Sequence, residues 1–369
     1  MPIKVVTIND LDKSQTEIVK TEPYDSSMFV SGPPGSGKTS VAILRSRMLL
    51  DNGITNVMFL LYNHSLYGYL RKVFSKMQLK NSITIETKDK FFWRLHSSIM
   101  HRSPNGSTYE DKYNTVLRVV NNAPDNKLPS YKLLVLDESQ DFSPTELSIL
   151  CRLTKRMVVL ADFDQQIYQN TNAKIFNNLP QKRLETIYRF GRAIAKIAEP
   201  FSNSGVDLQS KVTKTGNTPA YRIETDRLNA FSVLCQIIKN KGVADGTMAI
   251  ISPLRDELQR LSIRLSSAGI DNFFSSSNNE ALRDYDYDSK RPLLITPHSA
   301  KGMEFDVVVM WGFSNAALYY EKNTLIYLSI TRTCGELYLI QTPDTCPELK
   351  RLAGFESMDD SESDDINDF

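Results

Sequence analysis

Gly32-Pro33-Pro34-Gly35-Ser36-Gly37-Lys38-Thr39 fits the pattern G-x-x-x-x-G-K-[ST] at every position. An apolar run, Met28–Ser31, precedes it, and after Ser40 comes the helix-compatible Val41-Ala42-Ile43-Leu44. A strand, a glycine-rich turn and a helix are the context this pattern needs. The glycines let backbone N–H groups close around phosphate oxygens, and the helix N-terminus adds the positive end of its dipole. Residues Gly32 to Ser40 are therefore expected to cradle the phosphates of ATP, with Lys38 bridging the β- and γ-phosphates and the Thr39 hydroxyl holding Mg²⁺. Kinases, GTPases and motor ATPases all share such a loop, so it points to a nucleoside triphosphate and not to a particular reaction.

Lys132-Leu133-Leu134-Val135-Leu136-Asp137-Glu138 narrows the chemistry. Four apolar residues followed by two carboxylates read as a buried parallel strand with acids at its carboxyl edge, where ligands bind in such sheets. Asp137 is placed to bind Mg²⁺ and Glu138 to orient and deprotonate an attacking water. Ser143-Pro144-Thr145-Glu146, just downstream, reads as a capping box. Farther out, short β-branched and apolar runs alternate with amphipathic stretches. Candidate strands are Asn56–Leu61, Ser82–Glu86, Met157–Leu160, Thr247–Ile251, Leu293–Thr296, Val307–Met310 and Leu337–Ile340. This is the pattern of an α/β protein with parallel sheets covered by helices.

Asp137-Glu138-Ser139-Gln140-Asp141 and Asp162-Phe163-Asp164-Gln165-Gln166-Ile167-Tyr168 resemble motifs II and III of the UvrD/Rep-like helicases of superfamily 1. Ile187-Tyr188-Arg189 is similar to motif IV, Thr296-Pro297-His298-Ser299-Ala300-Lys301-Gly302-Met303-Glu304-Phe305 to motif V, and Tyr327-Leu328-Ser329-Ile330-Thr331-Arg332 to motif VI. Leu11-Asp12-Lys13-Ser14-Gln15 resembles the Gln motif that precedes the phosphate loop. The resemblance implies two RecA-like lobes with a nucleotide cleft between them: residues 1–185 with a small insertion at about 88–130, and residues 186–355, followed by an acidic disordered tail at 356–369. It implies that Gln15 reads adenine, Tyr188 stacks on the ring, Glu304 bonds the ribose and Gln165 senses the γ-phosphate. It makes Arg189 and Arg332 arginine fingers, which have physical sense because phosphoryl transfer needs positive charge on the equatorial oxygens. For the nucleic-acid strand it points to Tyr62, Asn63, Thr87, His298 and Lys301.

The chain departs from that family in two ways. Gln169-Asn170-Thr171-Asn172-Ala173 replaces the aromatic residue that stacks on a base after motif III, and Phe91, Phe92 or Trp93 either substitute for it or belong to the core. The large accessory subdomains of the relatives have no room here. Translocation is accordingly a safer expectation than efficient unwinding.

Composition is compatible with these readings. The 369 residues, 41% apolar and 24% charged, suit two globular domains. The net charge of +1 conceals seven acids in residues 356–369, without which 44 basic face 36 acidic residues. A basic body fits an anionic partner. Four scattered cysteines give neither a zinc nor a disulfide pattern. With no apolar run of membrane-spanning length and no secretory signal, a cytoplasmic protein without a membrane partner is expected. The expected activity is an ATP-dependent translocase or helicase on single-stranded DNA (or RNA), with 3′-to-5′ polarity from the resemblance. The alternative is a nucleic-acid-stimulated ATPase switch in a larger complex, for example beside a nuclease, with the acidic tail as a docking segment for a protein partner or a self-inhibitor.

Overall fold

The computed structural model describes residues 6–358 apart from 63, 80–82, 163–175, 204, 215–217, 242–245, 276–281, 283–284, 286–290 and 319–320. The described chain divides into two compact units. Residues 6–32 and 37–184 form one, and residues 33–36 with 185–358 form the other. Asn63, Gln165, the sequence 169–173, most of the loop after Ser275 and residues 359–369 lie outside the described residues.

The N-terminal unit is built on β1 (Met28–Ser31), β2 (Val57–Leu61), β3 (Ile83–Thr87), β4 (Leu133–Leu136), β5 (Met157–Ala161) and β6 (Gln181–Arg183). They form one parallel sheet in the order β3-β2-β4-β5-β1-β6. Every residue of β2, β4 and β5 is buried. Their sequences (VMFLL, LLVL, MVVLA) accordingly show continuous rather than alternating apolarity, as a sheet covered on both faces requires. The covering helices are α1 (Lys13–Lys20), α2 (Lys38–Asp51), α3 (His64–Lys76), α4 (Lys88–Met100), α5 (Tyr109–Asn122) and α6 (Pro144–Leu153). Phe91, Phe92, Val116 and Val120 from α4 and α5 and Leu147 and Leu150 from α6 enter a core with Phe29, Met58, Leu60, Leu134 and Leu136. The capping box read from the sequence starts α6: the Ser143 hydroxyl accepts from the Glu146 N–H at 3.2 Å, and the Glu146 carboxylate accepts from the Ser143 N–H at 2.6 Å.

The C-terminal unit holds a two-stranded pair, β7 (Ile187–Gly191) with β8 (Val212–Lys214), and a seven-stranded parallel sheet. The larger sheet comprises β9 (Ala220–Glu224), β10 (Met248–Ile251), β11 (Phe273–Phe274), β12 (Leu293–Ile295), β13 (Phe305–Met310), β14 (Thr333–Gln341) and β15 (Glu356–Met358), ordered β11-β12-β10-β13-β14-β9-β15. Its helices are α7 (Arg192–Ala198), α8 (Ala230–Lys241), α9 (Arg255–Ser267), α10 (Pro297–Ala300), α11 (Lys322–Ile330) and α12 (Pro347–Lys350). Val233, Leu234 and Ile237 of α8 and Leu258, Leu261 and Leu265 of α9 pack on Ile223, Ile250, Val309 and Tyr338 of the sheet.

Among the differences from the sequence reading, two have a local cause. The strand expected from Asn56 begins at Val57, because Asn56 adopts φ +61°, a left-handed conformation that Asn tolerates and a strand does not. Glu356–Met358, placed by the sequence reading in a disordered acidic tail, is strand β15, paired in parallel with Tyr221–Ile223 of β9.

Candidate nucleotide site

All six strands of the N-terminal sheet run the same way, so the residues that follow them share one edge. Gly32 follows β1, Asp137 and Glu138 follow β4, and Asp162 follows β5. The turn from β1 into α2 uses left-handed backbone at Gly35 (φ +75°) and at Gly37, the N-cap of α2 (φ +83°). A Cβ on Gly37 would stand 2.5 Å from Nε2 of Gln15, so glycine is required there both for its conformation and for space. Gln15 is itself fixed. Its N–H donates to Asp12 at 2.7 Å and its Oε1 accepts from the Asp12 N–H at 3.1 Å. That arrangement aims the side-chain amide nitrogen at the loop.

Lys38 begins α2, and its ammonium donates to the Gly32 carbonyl at 2.7 Å and lies 3.4 Å from Asp162 Oδ2. The Thr39 hydroxyl donates to Asp137 Oδ2 at 3.1 Å. Asp137 is buried, and burial first, then the neighbouring Glu138 charge, push its carboxyl up to about 7. A buried carboxylate beside a hydroxyl is a pair of hard oxygen donors. Mg²⁺ takes such pairs, with phosphate and water oxygens completing its shell. The residues present therefore fit the metal, and Thr39 and Asp137 are the side chains that would hold it.

The pH consequence follows from the direction of the Asp137 shift. Between about 4 and about 7 the folded chain retains a proton that the unfolded chain has lost, so stability falls as pH rises through that window. A divalent cation opposes this by favouring the carboxylate. Mg²⁺ is accordingly expected to raise the melting temperature more at pH 8 than at pH 5.5, and Asp137→Asn should abolish the difference. An equal Mg²⁺ effect at both pH values would remove Asp137 from metal binding.

Glu138 has left-handed backbone, φ +53° and ψ +45°, which costs a non-glycine residue of order 1–3 kcal/mol and recurs at functional sites. Its Oε2 accepts from Gln140 Nε2 at 2.5 Å, while Gln140 Oε1 accepts from the Asp162 N–H at 3.0 Å. Gln140 is fully buried. It thus ties the Glu138 carboxylate to the backbone at the end of β5, where the stretch containing Gln165 begins. Sequence reading quoted Gln140 within a motif and gave it no role, because the bridge joins two strand ends separated in sequence. Arg45 was missed for a similar reason. Its buried guanidinium donates to the carbonyls of Ile18, Val19 and Thr21 and to the Ser26 hydroxyl, anchoring α1, and with it Gln15, to α2.

In the C-terminal unit, Arg189 on β7 donates to Glu304 Oε1 at 2.6 Å and to the Thr331 carbonyl at 3.0 Å. The Arg189 guanidinium, with Arg332 behind it, holds the half-exposed Glu304 carboxyl below the usual carboxylate range. Glu304 is thereby engaged with Arg189, so bonding a ribose would require exchanging that partner. Arg332, 1% exposed, donates to the carbonyls of Leu328 and Met303 and to the Thr331 hydroxyl. Tyr188 is 41% exposed, as an adenine-stacking ring needs to be.

The expected strand contacts are placed less favourably. Thr87 is buried as the N-cap of α4, and Lys301 is fully buried. Neither side chain is open to a strand in this conformation. Tyr62 is half-buried against the core, with the Lys88 ammonium 5.4 Å above its ring. His298 is 3.8 Å from Glu321, and burial, then Lys301, lower its basicity. Phe91 and Phe92 are core residues, whereas Trp93 is only partly buried.

Residues 15–171 match the model of a family described as an AAA domain. Over 90% of its length the chain is 21% identical to a protein of Acanthamoeba polyphaga mimivirus whose name calls it an ATP-dependent DNA helicase. The chain spans about half of that relative, 52%. Among solved structures it is similar to the PRRSV helicase, with 17% identity, a TM-score of 0.46, and 93% of this chain and 57% of that one covered. It is also similar to the arterivirus nonstructural protein 10 helicase, with 13% identity, a TM-score of 0.40, and 92% and 63% covered. The chain is thus similar to helicases along most of its length, and its phosphate loop and acidic strand end both lie within the AAA-domain match.

Proposed function

We propose that this chain is an ATP-driven translocase on single-stranded nucleic acid, DNA in the first instance, moving 3′-to-5′ and resembling the UvrD/Rep-like helicases. The observation that carries the reading is the convergence of Lys38, Thr39, Asp137 and Glu138 on one sheet edge, with Gln140 linking Glu138 to the start of the motif III segment. That bridge gives the hydrolytic carboxylate a direct mechanical connection to the segment that reports on nucleic acid in such motors.

In this mechanism Lys38 and the loop amides bind the β- and γ-phosphates, and Thr39 and Asp137 would hold Mg²⁺, which would supply further positive charge. Glu138 accepts the proton of the attacking water while Gln140 fixes its carboxylate. Gln165 senses the γ-phosphate, and Arg189 and Arg332 stabilise the charge that develops on it. Gln15 and Tyr188 bind the adenine and Glu304 the ribose.

The test is ATP hydrolysis with and without single-stranded DNA, single-stranded RNA and duplex, run beside strand-displacement and single-strand translocation assays. The reading requires hydrolysis stimulated by a single strand and directional movement along it. Stimulated hydrolysis without movement would make the chain an ATPase switch instead. Hydrolysis indifferent to every nucleic acid would sink both.

A further inference from the structure

We propose that Tyr109, with Trp93 beside it, is a base-stacking platform for single-stranded nucleic acid on the insertion formed by α4 and α5. The inference deepens the strand-binding reading above and rests on it. Tyr109 opens α5 and is 60% exposed. Its ring is not loose. It stacks on Tyr113 with centroids 6.0 Å apart and planes 8° apart, and Trp93 of α4 meets it at 6.2 Å. Its hydroxyl donates to Asp89 Oδ2 at 2.7 Å. A large flat ring, clamped at its polar tip and backed by a second ring, offers its surface with little rotamer entropy left to lose.

The support beneath is equally fixed. The Tyr113 hydroxyl donates to the buried Glu146 carboxylate at 2.6 Å, which also takes the Lys88 ammonium at 2.7 Å. That ammonium sits over the rings of Tyr62, Tyr113 and Phe142 at 5.3–5.9 Å. The aromatic ladder therefore runs without a break from Tyr109 through Tyr113 and Lys88 to Tyr62, at the carboxyl end of β2. This is the sheet edge that also carries the nucleotide site.

The two lysines beside the rings suit a strand as the occupant. Asp111 in the α5 capping box, Asp89 on the Tyr109 hydroxyl and Glu110, which makes no hydrogen bond or ion pair among the described residues, are the acids at the helix start. Lys112 lies one turn along from Tyr109 and Lys90 one turn before Trp93, so each shares a helix face with its ring. Both lysines are exposed and make no ion pair among the described residues, leaving them available to backbone phosphates. Rings for bases flanked by cations for phosphates are the recurring arrangement of single-strand binding surfaces.

The experiment measures binding of the full chain to a fluorescent thymidine homopolymer and to an abasic strand of equal length. Stacking contributes about 1–3 kcal/mol per base. Tyr109→Ala should therefore weaken binding to the base-bearing strand about tenfold and leave the abasic strand unaffected, both measured at a temperature where the variant is folded. Tyr109→Phe, which keeps the ring and loses the Asp89 bond, should stay within about twofold of wild type. Wild-type affinity in Tyr109→Ala, or equal losses on both strands, would overturn the platform while leaving strand binding intact. Should Tyr109→Ala fail to fold, the unmodified chain still decides, since equal affinity for the two strands overturns the platform. A chain that binds neither strand would overturn the strand-binding reading itself, and the platform with it.

Discussion

Glu138→Gln is expected to bind ATP within about threefold of wild type and to hydrolyse it at least ~100-fold more slowly, because general-base catalysis contributes roughly 10²–10⁴ in rate. The groups proposed to hold the nucleotide and its metal are untouched: Lys38 stays on the Gly32 carbonyl and Thr39 on Asp137. The substitution is nearly isosteric. The new amide oxygen can still accept from Gln140 Nε2, so the bridge to Asp162 and the left-handed backbone at 138 have no reason to change. What is lost is the ability to take a proton from water. Single-turnover hydrolysis, with nucleotide affinity measured separately, checks this. Near-wild-type turnover would exclude Glu138 as the base. Gln140→Ala is the companion case, with slowed turnover expected at unchanged affinity because the carboxylate loses its anchor.

Arg332→Ala is expected to lower the rate at saturating ATP by ~10³-fold or more, the range found for arginines that meet developing phosphoryl charge. Affinity for a non-hydrolysable ATP analogue should fall far less, since the interaction strengthens as charge develops. Arg332 is buried, and its guanidinium serves the carbonyls of Leu328 and Met303. Truncation will therefore also lower the melting temperature, and the rate must be compared at a temperature where the variant is folded. Arg332→Lys keeps a charge but loses the planar fork, so it should recover stability better than rate. A variant with altered apparent ATP affinity and unchanged maximal rate would make Arg332 a ground-state binder.

Local signals made much of this legible. The phosphate loop and the β4 carboxylates stand at strand ends where the linear pattern announces them, and the continuous apolar runs of β2, β4 and β5 declare strands covered on both faces. Short edge elements were not legible, because two or three residues such as Phe273–Phe274 or Glu356–Met358 carry no period and owe their conformation to a neighbouring strand. β14 starts four residues before its apolar run, as Thr333-Cys334-Gly335-Glu336 is drawn into pairing with β13 across an irregular register. Within the site, the ion pair of Lys38 with Asp162 spans 124 residues, a separation no spacing rule detects. The burial of Thr87 and Lys301 was invisible for the same reason, since a motif specifies residue types and packing specifies which of them face solvent.

Strand β15 bears on how the acidic segment can be removed. It covers the outer edge of β9 through Glu356, Ser357 and Met358. Cutting the chain at residue 355 would delete a strand along with the acids and leave the backbone donors and acceptors of Tyr221–Ile223 open. Unprotected edges of that kind recruit other chains. A shortened protein ending there is expected to self-associate with rising concentration, and its altered affinity for any strand would be misread as relief from an acidic inhibitor. Ending the chain after Met358 removes six of the seven carboxylates and keeps β9 paired.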